Sequence, residues 1–73
     1  MPASPDICVR FGRRVRQLRT DRGLSQEQLA HQADLDRTYI SGIERGRRNV
    51  ALRAIEKVAA GLEISVAELM ASL

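Results

Sequence analysis

Eleven arginines and a single lysine stand against nine carboxylates in this 73-residue chain, and with one histidine, His31, and one cysteine, Cys8, they are the side chains that could do chemistry. The net charge is +3. A guanidinium offers a planar fork of donors that grips a phosphate, or the O6 and N7 edge of guanine, in a way lysine cannot reproduce. The arginine bias therefore points toward nucleic acid. A net charge this small also suits a merely solvated surface, so charge alone does not decide.

Catalysis finds little support. His31 lies in a helical segment without a neighbouring nucleophile, and the Asp and Glu residues form no converging pair by spacing. No catalytic residue is expected. One cysteine cannot build a disulfide framework, and no His/Cys spacing suits a metal, so no metal and no cofactor are expected. Cys8, on the apolar side of a helix, reads as a small core residue. The N-terminus, Met-Pro-Ala-Ser-Pro-Asp, has no basic region leading into an apolar run, and no stretch approaches membrane-spanning length. A soluble, cytoplasmic protein with no membrane partner and no small-molecule ligand is expected.

The elements that must position these side chains are helical. Residues 1–5 carry two prolines and no apolar periodicity, which predicts a loose tail before a single domain over 6–73. Ile7, Phe11, Val15 and Leu18 recur at helical spacing from about Asp6 to Arg22, and Gly23 supplies the turn that ends this first helix. Gly12 inside it suggests that another backbone passes close. Ser25 and Gln28 form a capping box for a short second helix with Leu29, Ala30 and Ala33 buried, ending near Gln32. Asp36 then caps a third helix running to Glu44 or Arg45. A connection of about three residues between two helices is the mark of a helix-turn-helix.

In the third helix Ile40 and Ile43 point inward, whereas Arg37, Thr38, Ser41 and Arg45 fall on the other side. A helix with so few apolar residues needs another reason to exist. A loop follows over Gly46-Arg47-Arg48-Asn49. Leu52, Ile55, Val58, Ala59 and Leu62 mark a fourth helix, and Ser65 with Glu68 makes a second capping box for a short fifth one. So small a core is marginal alone, and with no disulfide or metal the remaining support is a homodimer. Ile64, Leu69, Met70 and Leu73 offer the apolar surface for it.

Residues 13–69, through Gln26, Leu29, Ala30, Ile40, Ser41, Ile43, Glu44 and Gly46, resemble the lambda-repressor-like (XRE/Cro type) family of all-α, five-helix DNA-binding domains. The runs LDRTYISGIERGRRN and GLEIS look especially like the controller proteins of restriction-modification operons. Two positions depart from the family habit of glycine, Asp34 in the turn and Glu63 after helix four; a positive φ at Glu63 would cost roughly 1 kcal/mol.

The resemblance implies that helices two and three form the helix-turn-helix and that duplex DNA is the partner. A recognition helix reads base edges with its N-terminal residues while the preceding helix crosses the backbone, which assigns base reading to Arg37, Thr38 and Ser41. Gln26 is placed to donate to a phosphate or to cap its own helix. Tyr39, Arg45, Arg47, Arg48 and Asn49 are assigned to the sugar-phosphate backbone or a groove edge. The family pattern pairs Glu44 with Arg19, which makes both structural. The function implied is a homodimeric regulator on a roughly palindromic operator, with a general repressor or a DNA-binding antitoxin as the alternative. RNA is disfavoured because only two aromatics are available for stacking.

Overall fold

The computed structural model describes residues 5–73; the tail expected over 1–5 lies, apart from Pro5, outside the described residues. Five helices follow in order: α1 (Ile7–Asp21), α2 (Gln26–Ala33), α3 (Arg37–Glu44), α4 (Leu52–Gly61) and α5 (Val66–Leu69). No strand occurs among the described residues.

Short polar side chains start four of the five helices by accepting amides that have no partner within the helix. Asp6 accepts from the Cys8 amide, Asp36 from Thr38 and Ser65 from Glu68. At α2 the box closes both ways, with the Gln28 amide on Ser25 Oγ at 3.0 Å and the Ser25 amide on Gln28 Oε1 at 2.8 Å. α5 shows only the serine half of that arrangement.

The first four helices share one way of stopping. A single residue turns left-handed, and the amide after it reaches back to a carbonyl five positions earlier: Leu24 to Arg19, Leu35 to Ala30, Arg47 to Gly42 and Ile64 to Ala59. The left-handed residues are Gly23 and Gly46, but also Asp34 at φ 54° and Glu63 at φ 59°. Both departures from glycine thus adopt the strained geometry, and the aspartate does so at less cost. The closure at Asp34 makes the α2–α3 turn tight. α2 runs one residue past the expected end, because Ala33 is buried where α2 crosses Gly61 of α4.

α1 packs on α3, and α2 packs on both α3 and α4. Phe11, Val15, Leu18, Leu29, Ile40, Ile43, Val58, Leu62 and Leu69 make the shared core. Gly12 is the point where α1 meets the end of α3: a Cβ there would collide with the carbonyl oxygens of Ile43 and Glu44. That contact sets how closely the two helices approach.

Four further expectations need correction. Ile7 is 51% exposed and Leu52 84% exposed, although periodicity placed both inside. Each is the first residue of its helix, and a helical side chain leans toward the N-terminus, past the helix end. Leu69, expected at a dimer surface, is fully buried in the chain's own core. Cys8 is only half-buried, at the edge of an apolar cleft lined by Phe11, Val50, Ile55 and Met70. Its hydrogen bond with Asp6, then burial, raises the thiol pKa above its ordinary value, which disfavours thiolate chemistry.

Candidate nucleic-acid interface

α3 presents two unlike faces. Ile40 and Ile43 are buried, and Gly42 between them is buried too. Arg37 and Thr38, the first two residues of the helix, are exposed, and Ser41 is half-buried one turn later. The Asp36 carboxylate holds the start of the helix by accepting the Thr38 amide at 2.8 Å, and this backbone hydrogen bond lowers its pKa below the ordinary carboxylate value. With its cap ionised, the helix projects a guanidinium and a hydroxyl from its N-terminal turn, which is the chemistry of base-edge recognition.

Behind that turn lies an open cleft lined by Arg19, Ser25, Gln26, Glu27, Gln28 and Arg37. One carboxylate organises its inner wall. Glu44, whose side chain is 3% exposed, takes Arg19 in a two-pronged grip, Nε to Oε2 at 2.6 Å and Nη2 to Oε1 at 3.0 Å. Arg19, itself 12% exposed, also donates Nη1 to the Leu24 carbonyl at 2.7 Å. The hydrogen bond to Glu44 raises the Arg19 pKa above its ordinary value. Gln26 completes the set by donating Nε2 to Glu44 Oε1 at 3.1 Å.

The Arg19–Glu44 pair therefore brings α1 to the end of α3, and Gln26 ties in the start of α2. The capping alternative for Gln26 does not apply, since Ser25 and Gln28 cap α2 without it. Sequence reasoning missed the Gln26–Glu44 bond. It becomes visible only when α2 is known to start beside the end of α3.

The loop after α3 carries the other cations. Arg45, Arg47, Arg48 and Asn49 are all exposed, and the Arg48 side chain also lies along α3. Its guanidinium carbon sits 5.0 Å from the centroid of the half-buried Tyr39 ring, and its stem crosses Gly42, where a Cβ would lie 3.1 Å from Arg48 Cγ. The aromatic face holds one of the three loop guanidiniums in place without removing it from solvent. Glu44 is neutralised and buried, so the outward surface from Arg37 to Asn49 is cationic.

At the far end of the molecule Ile64, Met70 and Leu73 are half-buried, and Val66 is 43% exposed. Val66 was missed, since the apolar surface read from the sequence was Ile64, Leu69, Met70 and Leu73. Among the described residues no group of His, Cys, Asp and Glu could hold a metal ion. No helix among the described residues is long and apolar enough to cross a membrane.

Comparison with known proteins agrees with this geometry. A family described as helix-turn-helix matches residues 15–69. The chain is 51% identical over 69 residues to the control protein C.MunI of a Mycoplasma species, covering 93% of each. It is also similar to the solved restriction-modification controller protein C.AhdI from Aeromonas hydrophila, with a TM-score of 0.85 and 53% identity over 88% of this chain and 97% of that one. A further solved relative is the restriction-modification controller protein C.Esp1396I, a tetramer in complex with its natural 35 base-pair operator. There the TM-score is 0.83 and the identity 36%, over 90% of this chain and 87% of that one.

Proposed function

Because the chain belongs to the helix-turn-helix family, and within it to the restriction-modification control proteins, we propose that it is a sequence-specific, duplex-DNA-binding transcriptional regulator acting as a homodimer in the cytoplasm. The observation that carries this reading is the division of α3. Its apolar face is locked into the core, and its outer face offers Arg37, Thr38 and Ser41 with no other partner among the described residues. Arg37, Thr38 and Ser41 read base edges, and Gln26, Tyr39, Arg45, Arg47, Arg48 and Asn49 hold the sugar-phosphate backbone. No catalysis is part of this reading.

Two recognition helices must be set about one DNA turn apart, roughly 34 Å, for a palindromic operator to be read. Ile64, Val66, Met70 and Leu73 supply the pairing surface in this reading, with Leu69 supporting it from the core. Selection from a random duplex pool, followed by footprinting, tests the whole proposal. Two related half-sites about one turn apart are expected. A pool that shows no enrichment, or sedimentation showing only monomer at tens of micromolar, overturns it.

A further inference from the structure

The arginines of α1 and its C-terminal cap differ in what holds them. Arg10 donates to the carbonyls of Pro5 and Leu73, and Arg14 to those of Glu68 and Leu69. Arg19 is bound to Glu44 and Leu24, and Arg22 to the Leu18 carbonyl. Arg13 and Arg16 are different: Arg13 is exposed, Arg16 is exposed, and neither forms a hydrogen bond or ion pair among the described residues. Two like charges three positions apart on one helix repel each other, and an anion placed beside them would relieve that repulsion.

The helix geometry says where such an anion would lie. Phe11, Val15 and Leu18 face the core. The next strip round the helix touches the end of α3, through Gly12 against Ile43 and Glu44, and Arg19 against Glu44. Val9 continues that strip, since a Cβ on Gly46 would come within 2.9 Å of it. Arg16 lies one turn on from Gly12, and Arg13 one turn on from Val9, so both sit just past the α3 contact. α3 turns Ile40 and Ile43 toward the core. The edge of α1 beyond the contact therefore lies away from the core, as does the solvent face of α3.

We infer that Arg16, with Arg13 beside it, binds the phosphate backbone of duplex DNA. α1 then becomes a backbone clamp in addition to the start of α2 and the loop after α3. The inference rests on the DNA-binding reading above. Phosphate contacts of this kind position the protein without reading sequence, and each releases counterions.

The test measures binding of a fluorescein-labelled duplex recovered in the selection, across a salt series, for the full chain and its variants. Each lost phosphate contact should make the slope of log affinity against log salt shallower by about 0.9 per protomer. Arg16→Ala should show that change, and Arg13→Ala with Arg16→Ala about twice it, with base preference unaltered. Arg16→Lys should restore the slope, because a phosphate accepts a point charge. Arg22→Ala removes the same charge beside Leu24, Gln32 and Glu63, and should leave the slope unchanged. A parent chain that binds with a normal slope, and variants that keep it or that match Arg22→Ala, would overturn this inference alone. A parent chain that binds no duplex would overturn the functional reading and this inference with it.

Discussion

Arg19 and Arg37 line the same cleft, yet the structure uses them in opposite ways. Arg19 has a donor on each of its three nitrogens committed to an acceptor of the protein, and little of it is exposed. Arg37 stands at the tip of α3, exposed, with all its donors open among the described residues. A guanidinium whose hydrogen bonds are already made holds helices together and has little left to offer a ligand. One with none made is a ligand-binding group in waiting. The difference lies in Glu44, which sits where α1, α2 and α3 meet and is reached by Arg19 but not by Arg37.

The hardest way to strain that comparison is to remove Glu44. Glu44→Ala leaves a largely buried guanidinium uncompensated and takes the acceptor from Gln26, so a stability loss of about 3 kcal/mol is expected by thermal or urea unfolding. Arg19→Ala should destabilise as well, and the double variant should lose less than the two single losses added together. A cycle without coupling energy would show that the pair holds nothing together. If Glu44→Ala instead left stability intact and altered base preference, the division between holding and reading would be drawn in the wrong place.

A milder change sharpens the other side. Arg37→Ala should leave the melting temperature unchanged, weaken specific DNA binding by about 1–3 kcal/mol per half-site and relax the preference at one base pair. Arg47→Ala, in the loop, should weaken all sequences alike and flatten the salt dependence. Binding curves on operator and scrambled duplexes separate the two. Equal loss of selectivity in both variants would remove the proposed distinction between Arg37 as a base reader and the loop as a backbone contact.

Much of this arrangement is legible in the sequence because it is local. Ser25 with Gln28, Asp36 before α3, and a left-handed residue at Gly23 are decided within a few positions, and the structure shows each one. Gly12 points to a close backbone in the same way, although not to which backbone. What periodicity cannot give is how far each helix overlaps its neighbour. Ile7 and Leu52 fit an apolar stripe and still lie exposed, while Leu69 fits a surface and is covered. Contacts that bridge distant segments are hidden for the same reason. Nothing near Arg14 in sequence signals that it will cap the Glu68 and Leu69 carbonyls, and Arg48 meets Tyr39 only because the loop folds back over Gly42.

The smallest expected effect concerns Asp36, an acid that caps α3 without pairing with a cation among the described residues. Its folded pKa is lowered, first by the backbone hydrogen bond from Thr38. A carboxyl with a depressed folded pKa contributes stability that is fully present above its unfolded value, 3.8 for a free aspartate, and that fades as pH falls through the lower folded value. Acidification into that range should therefore loosen the first turn of α3, and amide exchange at Thr38 and its neighbours should rise before the core amides of α1 respond. Asp36→Asn keeps an oxygen for the cap but cannot titrate, so it should remove this pH dependence while leaving α3 in place. Asp36→Ala should speed exchange at the start of α3 at neutral pH also, and should lower affinity for operator more than Asp36→Asn does. Were Thr38 exchange indifferent to pH in both the parent chain and Asp36→Asn, the carboxylate would have no part in presenting Arg37 and Thr38, and their placement would have to come from the packing of Ile40 and Ile43 alone.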